Sequence, residues 1–349
     1  MKTSKKKKSR KKLIAAAIFL LALHLAILLA GFVAPYQPAG QNRDFPYVPP
    51  TRLHFVDARG HPHLRPFIYQ SVARPDSLYE YTEARDQEYP VHFFVPGSEY
   101  KIAGWLPSHT HLFGVEAPAQ IFLAGTDNYG RDQFSRILYG GQISLAAGLL
   151  ATAISLLLGL CVGCVSGFYA GWIDESAMRL AELFLVLPWL YVLLAVRAFL
   201  PLHISPSQTF LLLVAVIGTI GWARPARLVR GIVLSARSRK YVTASRGFGA
   251  SDVYILRRHV LPHTYGTLLT QAALLVPQYV IAEVTLSFFG LGLSEPVPSW
   301  GNLLANLQQY NVLVSYWWMF APALALVLVS LGYLTVANAF HQRLQSGSI

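Results

Sequence analysis

Five histidines, His54, His61, His63, His109 and His111, fall in one proline-rich stretch. Imidazole nitrogens ligate transition metals, and these five would make a metal centre if the fold gathered them. Histidines in such a segment are more often plain surface residues, so the sequence is read as holding no metal. Cys161 and Cys164 have the CxxC spacing of a redox pair or half a metal site. They lie deep in an apolar run with no second ligand pair nearby, which suits small packing residues. The pattern Gly125-Thr126-Asp127 with Gly130-Arg131-Asp132 resembles a phosphate or metal loop. Glycines alternating with Asp and Arg more simply make a hydrogen-bonded turn or docking element at a membrane edge. No GxxxxGK[ST] phosphate loop is present, so no nucleotide site is expected on this chain. No catalytic constellation is visible, and no cofactor is expected. Three ionisable residues, Glu182, Arg197 and Glu283, stand inside apolar runs. Such residues are functional candidates by default, and Glu283 is expected to face protein or a translocation path.

The elements that would carry these residues are membrane spans. Of 349 residues, 54% are hydrophobic and 13% charged, about half the charge of a soluble domain. The mean hydropathy of +0.40 agrees. A net charge of +12 raises the question of nucleic acid, but its placement answers it. Eight of the 29 basic residues sit at the extreme N-terminus and nine more lie between Arg224 and Arg258. Both groups flank apolar spans, as positive-inside charge does.

Residues 1–12 form a basic cytoplasmic tail, disordered or held by anionic lipid. Residues 13–33 carry no charge and are long enough to span the hydrocarbon core. A cleaved signal peptide would have a shorter run, and cleavage after Ala34 would place bulky Phe32 three residues before the cut. A retained first span, 13–35, is the expectation. Residues 36–141 are polar, aromatic and proline-rich, with eleven acids and nine bases between Tyr36 and Ile137. That balance suits the outer side. Within it, 53–69 reads as a hairpin turning near Asp57 to Gly60, and 89–95 reads as another strand. Five further spans are expected at about 144–170, 180–200, 210–222, 265–289 and 317–337, within a core of 142–340. Gly159, Gly163, Gly167 and Gly171 recur every four residues, on one helix face where another backbone can approach. Trp300, Tyr310, Tyr316, Trp317 and Trp318 read as interfacial rings. Six spans put both termini inside, 341–349 being a cytoplasmic tail, and leave 171–178 and 223–262 as the inner loops.

The inner segment contains 241–262, YVTASRGFGASDVYILRRHVLP. Small residues Thr243, Ala244 and Ser245 come first, then a glycine break at Gly249. Ser251 and Asp252 read as a helix cap and first-turn acid. Pro262 limits how that second helix can end. Arg257, Arg258 and His259 could meet lipid phosphate or acidic groups of a partner. The sequence alone leaves two readings open, a helix resting on the membrane or a surface presented to another protein.

Ala244, Gly249, His259, Leu261 and Pro262 resemble the EAA loop of ATP-binding-cassette importer permeases. Residues 123–145, 221–242 and 281–304 are similar to segments of the dipeptide, oligopeptide and nickel branch, and to its second permease most of all. The last of these holds Glu283, Ser287, Gly290 and Gly292. The resemblance covers roughly 122–340. It implies an all-α polytopic membrane protein with six transmembrane helices in the type I ABC importer fold, to which the residues of 36–141 add a small β-rich extracytoplasmic insertion. It further implies a bacterial inner-membrane location and docking of ATPase subunits on Thr243, Ala244, Ser245, Gly249, Asp252, His259, Leu261 and Pro262. The implied partners are a second permease, two ABC ATPases that hydrolyse ATP, and an extracytoplasmic solute-binding protein. Three features depart from the branch. Thr243 replaces the loop's usual acid, the tail lacks the usual Asp-rich run, and the outer segment is enlarged.

The expected function is therefore a permease subunit for peptides or similar small solutes, not an enzyme and not a nucleic-acid binder. Alternatives are a permease for nickel or another non-peptide solute, and an ion-coupled secondary transporter. The latter would show inverted repeats or buried ionisable relays, which the sequence lacks. A membrane enzyme would need clustered catalytic groups, which are also not visible.

Overall fold

A computed structural model describes residues 2–74, 79–102, 105–199 and 205–345. Helix α1 (Lys2–Leu28) and the single turn α2 (Ala30–Val33) precede five strands: β1 (His54–Val56), β2 (Pro62–Ala73), β3 (Tyr81–Pro90), β4 (His92–Ile102) and β5 (Leu106–Gly114). Helices follow: α3 (Gln133–Tyr169), α4 (Gly171–Val186), α5 (Trp189–Phe199), α6 (Pro206–Ile220), α7 (Ala223–Arg237), α8 (Lys240–Gly247), α9 (Asp252–Ile255), α10 (Tyr265–Phe288), α11 (Trp300–Ala305), α12 (Tyr310–Ser315) and α13 (Ala321–Gln345).

Among the described residues, three helical runs are long and apolar enough to cross a membrane: Gln133–Tyr169, Asp252–Phe288 and Trp317–Gln342. The number rises to five if α4 with α5, and α6 with α7, each count as one bent span. The apolar part of α1, Lys12–Leu28, is shorter than these. The expected run of 13–33 is interrupted at Leu29, after which α2 adds one turn. The basic run 5–12 is helical within α1, not irregular.

The breaks have local causes. Leu187 is extended (ψ 129°), as a residue before proline is, so α4 stops one residue short of Pro188. Ser205 and Gln208 form a reciprocal capping box at the start of α6, with Pro206 in the first turn. Two expected inner loops are helical instead. Gly171 (φ +65°) turns the chain directly from α3 into α4, so 171–178 is not a loop. The fourth span does not stop at Trp222, because α7 continues from α6 at a 42° bend. Its buried Ala223, Ala226, Val229, Val233 and Ala236 repeat every three or four residues, while the arginines take the other face.

The chain forms two compact bodies. One takes Leu145–Leu286 with α1 up to Leu20 and α13 from Leu328. Its seam between α3 and α7 is built on the glycine stripe. A Cβ on Gly159 would lie 2.5 Å from Pro225, one on Gly163 2.6 Å from the Ala226 carbonyl oxygen, and one on Gly167 2.8 Å from the Arg230 oxygen. Gly171 does not belong to this seam; it lies beyond α3 and has open space around it.

The other body takes Leu21–Ser144 and Ser287–Val327. It holds two antiparallel sheets, β1-β2-β3 and β4-β5. The hairpin expected over 53–69 is β1 and β2, with His54 opposite Phe67. The strand expected over 89–95 is divided: β3 ends at Pro90, Val91 donates its N–H to the Pro66 oxygen, and β4 begins at His92. Ile68, Tyr89, Val91, Phe113 and Ile121 form a local core. Trp300 and Trp318 are buried core residues, not interfacial rings. The Trp300 indole donates to the Ile137 oxygen at 2.9 Å and the Trp318 indole to the Thr126 oxygen at 3.0 Å. Tyr310 and Trp317 are exposed.

Candidate functional site

The 241–262 segment folds as a helical hairpin with one anchored face. Val242, Ile255 and Val260 are buried against Cys164 and Phe168 of α3 and Val229, Val233 and Ala236 of α7. Thr243, Ala244, Phe248, Gly249, Val253 and Tyr254 are exposed on the hairpin. Phe248 is 92% exposed, a large cost in apolar hydration for a side chain that no described residue covers. Gly249 adopts φ +82°, and a Cβ there would meet open space, so the turn needs glycine for its backbone and not for room. The Ser251 hydroxyl accepts from the Tyr254 N–H, capping α9. Arg246 and Asp252 join the two arms at 3.3 Å.

His259 does not face outward with Arg257 and Arg258. It is half-buried, with Nε2 3.3 Å from the Ser245 hydroxyl and its ring edge-on to Tyr254. Leu261 is half-buried and Pro262 exposed. Pro262 changes the geometry of the second arm without ending it. Residues Leu256–Val260 widen into a π turn, the Leu261 N–H reaching back to the Leu256 oxygen, and a 3-10 turn leads into α10. The widening accommodates a proline that has no N–H and whose ring would strike the carbonyl four residues back. The run Asp252–Phe288 is thus helical throughout.

Above the hairpin in sequence lies a cavity in the same body. Phe184, Leu187, Ile217, Arg224, Gln278 and Tyr279 line it, an apolar wall with three polar groups. The Ser155 hydroxyl donates to the Gly218 oxygen at 2.7 Å and lies 2.9 Å from the Tyr279 hydroxyl. A Cβ on Gly221 would sit 1.7 Å from that hydroxyl, so a larger residue at the α6–α7 bend would displace the Tyr279 side chain. Asp174 of α4 pairs with Arg230 of α7 through both carboxylate oxygens, at 2.5 Å each.

The 125–132 pattern is a structural turn. Thr126 is fully buried; its hydroxyl donates to the Phe45 oxygen at 2.6 Å and accepts from the Val48 N–H at 2.7 Å. The buried Asp127 carboxylate accepts from the N–H groups of Tyr129 and Arg131 and from Arg131 Nε. Arg131 and Arg136 both reach Glu295, at 2.8 and 2.6 Å. Asp132 caps α3 by accepting from the Ser135 N–H and hydroxyl at 2.8 and 2.6 Å. Gly125 and Gly130 have φ near +70°, and a Cβ on Gly130 would lie 1.7 Å from the Asn42 oxygen. These donors are consumed by the protein itself, which leaves no phosphate cradle.

In the fifth-span motif, Glu283 is fully buried and Ser287 nearly so. Gly290 (φ +72°) closes the end of α10, its N–H donating to the Ser287 oxygen. Gly292 packs on Ser287, whose hydroxyl oxygen would be 2.0 Å from an added Cβ. Glu182 is exposed; the Arg197 side chain lies outside the described residues. Sequence reading missed Arg136, Glu295, Asp174 and Arg230, whose partners lie 56 or more positions apart. It also missed the exposed Phe248 and the anchors Val242, Ile255 and Val260. The last three do not share one helical period because the bend at Gly249 intervenes.

Residues 159–346 match the family described as binding-protein-dependent transport system inner membrane component. The chain belongs to this family. It is similar to the dipeptide transport system permease protein DppC of Bacillus subtilis, 36% identical over 63% of this chain and 67% of that one. It is 33% identical to the oligopeptide transport system permease protein OppC of the same organism, over 68% of this chain and 76% of that one. The glutathione transport system permease protein GsiD of Pectobacterium atrosepticum is 32% identical over 66% of this chain and 74% of its own length. As a member of the family the chain is a multi-pass inner-membrane permease subunit of an ABC transport system. The helical hairpin, the cavity and the α3–α7 seam lie wholly or largely within the matched residues.

Proposed function

We propose that this permease subunit imports peptides or similar small solutes, with the 241–262 hairpin as the docking element for ATPase subunits. One observation carries the docking reading. The hairpin buries Val242, Ile255 and Val260 against α3 and α7 while exposing Thr243, Ala244, Phe248, Val253 and Tyr254. An apolar exposed face on a firmly anchored element suits a protein partner. Thr243 offers no charge, so docking rests on Phe248, small-residue packing and the Gly249 bend.

In this reading six spans cross the membrane, the first from 13 to 33, with both termini and 223–262 cytoplasmic. The β-rich segment of 36–141 is then an extracytoplasmic insertion that meets a solute-binding protein or the partner permease. A second permease completes the translocation path and two ABC ATPases hydrolyse ATP, while this chain binds no cofactor and performs no covalent chemistry. The sequence similarity to dipeptide and oligopeptide permeases supports a peptide solute. The similarity to a permease for glutathione, itself a tripeptide, supports the same reading; the alternative is nickel or another non-peptide solute on the same scaffold.

The test is co-purification with the ATPase pair and uptake in proteoliposomes. Ala244→Trp and Phe248→Asp are expected to abolish both while thermal stability stays near that of the parent. A complex and uptake that survive both changes would show that the hairpin is not the docking element.

A further inference from the structure

The β1–β2 turn gathers two imidazoles and two carboxylates that no function described above uses. Asp57 opens the turn. Its Oδ1 accepts from the backbone N–H groups of Arg59 and His61, both at 2.8 Å. The other oxygen, Oδ2, is left toward the histidines: His61 Nδ1 lies 3.1 Å away and His63 Nε2 3.6 Å away. His63 Nε2 is also 3.7 Å from Glu88 Oε2 on β3. One ligand atom from each of Asp57, His63 and Glu88 falls within 4.8 Å of the others.

The spacing fits a bound ion. Ligand bonds of about 2.0–2.1 Å in a tetrahedral site put ligand atoms about 3.3 Å apart. The three contacts on Asp57 and His63 bracket that value, at 3.1, 3.6 and 3.7 Å. Asp57, His63 and Glu88 are the inner set, and His61 joins it from the exposed rim through its contact with Asp57.

The donors are also held in place. The Asp57 side chain is only 10% exposed, and the backbone N–H groups of Arg59 and His61 hold its other oxygen. The His63 ring packs edge-on against Phe67 at 5.1 Å. Glu88 stands beside an irregularity of β3. Tyr69 pairs with Glu88 but the next residue, Gln70, pairs with Ala84, so 85–87 bulge from the ladder. Bulges re-aim neighbouring side chains. His54, which the sequence grouped with these histidines, pairs with Glu83 instead. His111 is buried, with its ring nitrogens 2.6 Å from the Ala34 oxygen and 3.0 Å from the Ser98 oxygen.

We propose that Asp57, His61, His63 and Glu88 form a binding site for a divalent transition ion of the Zn²⁺ type, which staples the β1–β2 turn to β3. Two imidazole nitrogens with two carboxylate oxygens favour Zn²⁺ or Ni²⁺ over Mg²⁺ and Ca²⁺, whose sites are built from oxygen. The ion neutralises two carboxylates that otherwise face each other across the histidines.

The test is isothermal titration of the full-length, tag-free protein in nanodiscs with ZnCl₂, NiCl₂, MgCl₂ and CaCl₂, alongside thermal unfolding with and without Zn²⁺. One equivalent of Zn²⁺ or Ni²⁺ is expected to bind at micromolar concentration, with no heat from Mg²⁺ or Ca²⁺, and Zn²⁺ is expected to raise the unfolding temperature. His63→Ala and Glu88→Gln should weaken binding by more than the roughly 10- to 100-fold that loss of an outer-shell partner costs. The exposed control His109→Ala should bind as the parent does. No heat at micromolar Zn²⁺, or binding unchanged in both His63→Ala and Glu88→Gln, would overturn the site and leave these residues as hydrogen-bonded turn staples only. A variant that fails to fold is replaced by His61→Ala at the exposed rim, which must also weaken binding.

Discussion

Replacing Gly163 tests the seam on which the transport body depends. An alanine Cβ there would lie 2.6 Å from the Ala226 carbonyl oxygen and 2.8 Å from Val229 Cβ. The oxygen belongs to backbone and cannot rotate away, so α3 and α7 must part by several tenths of an ångström. Overpacking of this kind costs about 1–3 kcal/mol. Against it stands the helix-propensity gain of alanine over glycine, about 1 kcal/mol. The clash wins, and Gly163→Ala is expected to lose about 1 kcal/mol net, with Gly163→Val losing about 3 kcal/mol because its branches also strike Val229. The control is Gly231→Ala on α7, where an added Cβ meets nothing within 4 Å. It should gain up to about 1 kcal/mol. Thermal unfolding in nanodiscs reads these differences as about 2–4 °C for each kcal/mol in a body of this size. Equal stabilisation by Gly163→Ala and Gly231→Ala would refute the close approach of α3 and α7 and, with it, the reason for the glycine stripe.

Two further outcomes separate the parts of the 125–132 turn. Asp127→Asn leaves the buried Arg131 and Arg136 without their buried counter-charge and should cost about 3–5 kcal/mol. Glu295→Gln, at a side chain 43% exposed, should cost no more than about 1 kcal/mol. Similar unfolding temperatures for the two variants would contradict the assigned roles. Asp132 supplies a pH signature: burial, opposed by hydrogen bonds from Ser135, pushes its carboxyl from 3.8 up to about 6. Between these values the folded chain holds a proton that the unfolded chain has lost, so this group's contribution to stability falls as pH rises from about 4 to about 6 and is constant above. Asn still caps the helix, so the difference in unfolding temperature between the parent and Asp132→Asn should change across that window and stay flat above pH 7.

Spans were legible because long apolar runs and their charge bias act locally along the chain. The two errors of boundary have separate causes. Arginines on α7 were read as loop charge, although Ala223, Ala226, Val229 and Val233 repeat at helical spacing beneath them. Gly171 was counted with a helical stripe, although its positive φ places it past the end of α3. Motif residues were legible as a group but their work was not. Arg131 has Glu295 as a partner 164 positions away, and no local pattern announces it. The histidine set was seen, but its acids were not, since Glu88 reaches His63 only through the bulge in β3.

The hairpin's two attachments bear on how a push at the membrane surface would reach the solute. One attachment is packing: Val242, Ile255 and Val260 against Val229, Val233 and Ala236 of α7. The other is covalent, since α9 runs through the π and 3-10 turns into α10 without leaving helical geometry. Both helices also line the cavity, α7 with Arg224 and α10 with Gln278 and Tyr279. Tyr279 lies 27 residues beyond Asp252, about 40 Å along a helix. In the proposed docking, an ATPase bound at Phe248 would therefore act on two walls of one cavity, through elements that are stiff everywhere but at one turn. The soft point is the π turn at 256–260, where a widened ladder can change register at lower cost than a regular helix. Motion of the hairpin that α7 follows and α10 does not would concentrate there, opening the cavity between Arg224 and Tyr279 instead of carrying it along whole.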